Sequence, residues 1–133
     1  MSGETKLQTL LGSMRPSLAP GVFVFATVTD AIPDGIDPQM VFRESEGLTL
    51  ILREEEARRT GLNAIFRCRM VTLDIHSSLD AVGFMAAITT RLAASSIGVN
   101  PVSAYFHDHL FVPADRAEEA LALLEQLAGE ARG

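Results

Sequence analysis

The stretch from Ile65 to His76 constrains this chain more than any other segment, because it alternates with a period of two for too long to be a helix. Val71, Leu73 and Ile75 fall on one face, and Met70, Thr72, Asp74 and His76 on the other. A strand of this length near the middle of a chain needs partners along both edges and cover on its apolar face. The flanking sequence supplies both, in the same order on each side.

Ahead of it, Val22 to Val28 is rich in β-branched and aromatic residues and reads as a strand. Asp30 to Pro38 holds Pro33, Gly35 and Pro38 and reads as a loop. Met40 to Glu44 and Leu48 to Leu52 flank the turn Ser45-Glu46-Gly47, a hairpin pattern. Glu54 to Thr60 is expected to be a short helix, with acidic residues at its positive end and Gly61 to close it. Behind the central strand, Ser78 is placed to cap a helix with Asp80 in its first turn. The face of that helix is expected to be Val82, Met85, Ala86, Thr89, Leu92 and Ala93, fading at Ser95-Ser96. Pro101 to Phe106 and Leu110 to Val112 read as strands joined across His107-Asp108-His109. Ala117, Ala120, Leu121, Leu124, Leu127 and Ala128 form a helical stripe that Gly129 ends, with Asp115 and Glu118 as a capping box. Leu7, Leu10, Leu11 and Met14 predict a further short helix ending before Pro16.

Each half therefore runs strand, connection, hairpin, helix. The connection is a helix in the second half and the Pro/Gly loop in the first. This predicts an α+β fold of ferredoxin-like βαββα units with antiparallel sheets: a degenerate half over residues 1–64 and a fuller one over 65–133. No residue-level identity links the halves.

Composition removes several classes of function. A net charge of −6, with Lys6 as the only lysine, is a poor match for phosphate backbones, so no nucleic-acid partner is expected. No apolar run is long enough to span a bilayer, and no membrane partner is expected. Met1 to Lys6 is polar and unlike a signal peptide. With Cys68 as the sole cysteine, no internal disulfide can form, and a cytoplasmic location is expected. Cys68 itself reads as a small buried hydrophobe.

The chemistry concentrates at His76-Ser77-Ser78-Leu79-Asp80-Ala81-Val82-Gly83. Unpaired amides and a partial positive charge at a helix start favour a carboxylate. Ser77 and Ser78 add hydroxyls, Asp80 can meet an ammonium group, and Gly83 allows close approach. Together they suit a zwitterion such as a free amino acid, although a serine cap and a packing glycine are also ordinary furniture of a helix start. Asn100 is a second candidate, placed at the far end of the sheet unless a dimer brings it in. His76, His107 and His109 gather at one sheet end and form an alternative metal-binding set, without the spacing of any strict metal motif. No G-x-S-x-G elbow supports Ser77 or Ser78 as a nucleophile.

Three strings occur in order: Glu46 to Leu52 (EGLTLIL), His76 to Gly83 (HSSLDAVG) and Tyr105 to Pro113 (YFHDHLFVP). Together with Leu10-Leu11, Met14, Pro16, Pro20-Gly21 and Val24-Phe25 they resemble a group of small bacterial stand-alone proteins of the ACT-domain superfamily. The resemblance implies a small effector, commonly an amino acid, often held at a subunit interface beside the loop from first strand to first helix. Here that loop is Ser77 to Gly83. The resulting expectation is a non-catalytic regulatory module, without a cofactor, that binds an amino-acid-like ligand and forms a homodimer through its sheet edges. A metal-binding module and a purely structural interaction domain are the alternatives.

Overall fold

Burial along Ala64–Asp74 follows the alternation: Val71 and Leu73 are fully buried and Asp74 is exposed. In the computed structural model, which describes residues 3–75 and 81–133, this strand is the fifth of seven. Before it come α1 (Gly3–Ser13), β1 (Arg15–Leu18), β2 (Phe23–Val28), β3 (Met40–Glu44), β4 (Gly47–Arg53) and α2 (Glu54–Thr60). After it (β5) come α3 (Phe84–Ala94), β6 (Asn100–Ser103), β7 (Asp108–Pro113) and α4 (Ala117–Arg132), the last entered through a 3-10 turn at Ala114–Arg116.

All pairings are antiparallel, and the strand order is β3-β4-β2-β5-β7-β6, with β1 also on β5. One edge of β5 carries β2 opposite Ala64 to Cys68 and then β1 opposite Val71 to Asp74. The other edge carries β7 opposite Cys68 to Leu73. Two ferredoxin-like units of one strand order therefore interlock: β3-β4-β2-β5 and β6-β7-β5-β1. In the first, β5 is the last strand; in the second it is the first, and β1 stands where a last strand belongs. Ala19 donates to the Met70 carbonyl at 2.9 Å and carries the ladder across the gap between β1 and β2.

β1 was not foreseen. Arg15-Pro16-Ser17 reads as a helix stop, and Pro16 fits a ladder only because β1 lies on an edge, opposite Leu73. Four other expectations are corrected. First, α3 begins at Phe84 with Gly83 as its N-cap, so the helix starts too late for Ser78 to cap it. Second, its buried face is Phe84, Ile88 and Leu92; Val82 lies before the helix and is 88% exposed. Third, the β6–β7 turn is Ala104 to His107, closed by Ala104 donating to the His107 carbonyl, and Asp108 and His109 belong to β7. Fourth, α4 has no side-chain cap, Asp115 sits in the 3-10 turn, and the helix runs through Gly129 to Arg132.

Three apolar clusters hold the layers. Leu11, Met14, Val71, Leu73, Ile88 and Leu124 represent the largest, between α1, α3, α4 and the second unit's strands. Val24, Ala26, Leu50, Leu52 and Ala57 form another under α2. The third lies on the helix-free face of the sheet, where Phe23 and Phe25 from β2 meet Phe111 from β7 edge-to-face at 6.1 and 6.0 Å.

The Pro/Gly loop does stand where the first unit lacks a helix. Ile32 and Ile36 pack onto the cluster under α2. The buried carboxylate of Glu56 accepts from the Asp37 amide at 2.9 Å and from the Arg53 amide at 3.4 Å, and Arg59 Nη2 donates to the Gly35 carbonyl at 2.7 Å. Glu56→Ala would leave the Asp37 amide without its acceptor. The expected outcome is a loss of about 2 kcal/mol in urea unfolding, with faster amide exchange at Asp37 than elsewhere in the sheet.

Candidate functional site

The β5–α3 junction lies at the sheet end where β5 finishes and β6 turns into β7. The Ile75 amide donates to the Leu73 carbonyl at 3.0 Å, which ends the extended run. His76, Ser77, Ser78, Leu79 and Asp80 lie outside the described residues. The chain returns at Ala81 and Val82, both exposed, and reaches Gly83 at φ +88°. That backbone region favours glycine, whereas a Cβ there would make only ordinary contact, 3.6 Å from Leu7 Cδ2 on α1. The Gly83 carbonyl accepts from the Ala87 amide at 3.0 Å, so the amides of Phe84, Met85 and Ala86 have no helical acceptor. Gly83 has no side chain to cap them, and the first turn of α3 contains no acid to offset its partial positive charge.

The β6–β7 turn flanks this junction. Tyr105 and Phe106 are 83% and 67% exposed, with ring centroids 4.9 Å apart. Sequence reasoning placed both in a strand and gave them no part in a site. Two adjacent aromatics ahead of a polar His-Asp-His string were the available signal. His107 Nδ1 lies 4.0 Å from Asp74 Oδ1 and has no hydrogen-bond partner among the described residues, although the atom itself is buried. His109 Nδ1 is 3.0 Å from Thr72 Oγ1 across the β5–β7 pair. The two imidazoles stand nearly perpendicular, 6.4 Å apart. Among the described residues no group of three or more His, Cys, Asp and Glu side chains could hold a metal ion.

Asn100 is exposed and opens β6 opposite Phe111, which itself faces Met70. It is thus level with a point four residues before Asp74 on β5, roughly 13 Å from the junction along the strand. Within one chain, Asn100 is not brought to Gly83. Cys68 is fully buried and its Sγ contacts the Phe23 carbonyl at 3.3 Å. Burial pushes its thiol up to about 12, so it acts as a packing group. No helix among the described residues is long and apolar enough to cross a membrane.

Burial lowers the pKa of His109, the His107 charge lowers it further, and Asp108 partly opposes both. The native imidazole therefore stays neutral where the unfolded one, at about 6.5, begins to protonate. Protons favour the unfolded chain in that window, so stability falls on acidification. Between about pH 7 and about pH 5 the wild type should lose more unfolding free energy than His109→Gln, with urea midpoints as the measure. Equal losses in the two proteins would remove His109 from the account.

Comparison with known proteins gives a consistent result. Residues 2–69 match one ACT-domain family model and residues 65–126 another. No curated protein matches the chain. Among solved structures, the chain is similar to a Vibrio cholerae protein of unknown function, described as a possible transport protein. The two are 43% identical over 96% of this chain and 99% of that one, with a TM-score of 0.87. An Agrobacterium tumefaciens protein is 18% identical over 86% of this chain and 89% of its own, with a TM-score of 0.73. The ligand-free regulatory subunit of aspartate kinase from Thermus thermophilus is 15% identical over 86% of this chain and 96% of its own, with a TM-score of 0.65. These last two share the fold.

Proposed function

The chain belongs to the ACT-domain family, and from that premise we propose that it is a non-catalytic regulatory protein of the cytoplasm that binds a small amino-acid-like ligand at the β5–α3 junction. The observation that carries this reading is the start of α3. Among the described residues no side chain caps its first amides and its first turn holds no acid, and the exposed Ala81 and Val82 lie beside it. A ligand carboxylate is favoured there by both the amides and the helix dipole. In this reading Ser77 and Ser78 bind through hydroxyls and Asp80 meets the ammonium group. Leu79, Ala81 and Val82 contact the ligand's apolar part, and Gly83 gives the backbone room. A dimer paired through β3 leaves Asn100, on the opposite edge strand, outside the site. Occupancy regulates by favouring the arrangement that binds the ligand better.

Free amino acids provide the test. At a hundredfold excess over Kd, a bound ligand stabilises the fold by about 2.7 kcal/mol, which a thermal-shift series across the twenty amino acids reads directly. At least one should raise Tm, and Val82→Glu should weaken its binding about tenfold by replacing an apolar contact with a charge, without lowering Tm in the absence of ligand. Silence across all twenty at millimolar concentration rejects the reading.

The homodimer part of the proposal rests on the unequal edges of the sheet. β6 is short and contains Pro101, both of which discourage strand addition. β3 contains no proline, and Val41 and Phe42 on it are 44% and 62% exposed. A second copy pairing through β3 gives a closed two-fold assembly. Sedimentation should show a dimer for the wild type and a monomer for Val41→Lys; a wild-type monomer at all concentrations would contradict the proposal.

A further inference from the structure

The first unit has a cleft of its own, between α2 and the start of β5, of about 560 Å3. This is within the volume range of small-molecule sites, and its lining mixes apolar side chains with charged ones. Val24, Ala57, Leu62, Ile65 and Phe66 supply the apolar part. Ile65 is 75% exposed although it lies within a strand. Beside it Phe66 holds φ +59°, a left-handed conformation unusual for a bulky residue, at the point where the β2–β5 register shifts.

The charges lie on the rim. Arg67 grips Glu54, with Nε to Oε2 at 2.5 Å and Nη2 to Oε1 at 3.3 Å. Arg58 Nη2 stands 3.8 Å from Glu54 Oε1, and its side chain is 73% exposed. One carboxylate thus serves two guanidinium groups: it hydrogen-bonds Arg67, which also feels the charge of Asp115, and stands farther from Arg58, the more loosely paired of the two. The hydrogen bond from Arg67 holds the Glu54 carboxyl below its ordinary range, which keeps this charge count intact. A neighbouring cleft of about 320 Å3 shares Glu54 and Arg58 but adds Arg53 and Glu55, so its charges cancel. Of these two clefts, the first has the more apolar lining, and its lining holds two arginines against one glutamate.

We propose that this cleft is a second ligand site, for a small monoanion with an apolar body, whose charged group is met by Arg58 and whose body lies on Ile65, Ala57 and Leu62. It goes beyond the α3 reading and is remote from it: β5, 11 residues long, separates the two places by roughly 30 Å of strand.

The test is an amide 1H–15N titration of the full chain with two probes of one shape, 4-methylpentanoate and its uncharged amide, 4-methylpentanamide. The carboxylate should shift amides within residues 57–67. The uncharged probe should bind about tenfold more weakly, the worth of one charge-assisted hydrogen bond, and Arg58→Gln should cost the carboxylate the same factor. Ile65→Ser should weaken both probes. Both side chains are largely exposed, so the variants should fold as the wild type does. The proposal is overturned by no shifts in residues 57–67, by an equal response to the two probes, or by an unchanged response in Arg58→Gln. Shifts confined to residues 81–86 would also overturn it, while leaving the α3 reading standing.

Discussion

Everything in this molecule is hung on the hydrogen-bonded edges of β5. β2 and β1 divide one edge between them, and β7 takes most of the other. The register is demanding because both faces of the strand are committed. Val71 and Leu73 belong to the cluster under α1, α3 and α4, while Cys68 and Met70 belong to the aromatic cluster on the opposite face. A slip of one residue would exchange the two sets and send Thr72 and Asp74 into the helix-covered core. The positions of the β5–α3 junction, the histidine pair and the cleft under α2 all follow from this single register.

The two units meet their common plan by different means. The second covers its strands with α3 and α4, linked at the surface by an ion pair between Arg91 and Glu130. The first has only α2 and a loop. A loop has no helical hydrogen bonds to organise it, so its backbone needs outside partners. Glu56 and Arg59, both on α2, bond the loop at Asp37 and Gly35, while Ile32 and Ile36 contribute the apolar contact a helix would have made. The exposed Val41 on β3 marks where that cover ends.

The plan of paired units was legible in the sequence because periodicity and turn residues declared it. The β3–β4 hairpin, α2 with Gly61 behind it, and the double role of β5 could all be read from residue types. What escaped was decided by tertiary contact. β1 is four residues long with a proline, and becomes a strand only because β5 offers it an edge. The start of α3 was misplaced because Ser78 and Asp80 carry the local preferences of a cap, whereas burial of Phe84 and Ile88 and the left-handed Gly83 set where the helix begins. At the candidate site the sequence singled out Gly83, where α3 begins, and grouped His107 and His109 at the sheet end they occupy, while His76 lies outside the described residues. The aromatic turn was missed because β6 ends at Ser103, ahead of its apolar pattern, and the cleft under α2 because it lies at a β-bulge that no residue pattern announces.

The place of β1 also bears on how the chain is made. Synthesis delivers β1 first, yet the edge it belongs to arrives only with the second half of β5, after the whole first unit has emerged. Until then Leu18 and Met14 have none of their native cover from β5, and α1 must wait longer still for α4. Contacts so far apart in the chain are slow to form, because loop closure precedes any gain from packing. The growing chain therefore carries an unpaired strand until β5 emerges and an uncovered helix until α4 does, and the second unit closes only when α1 and β1 meet elements made much later.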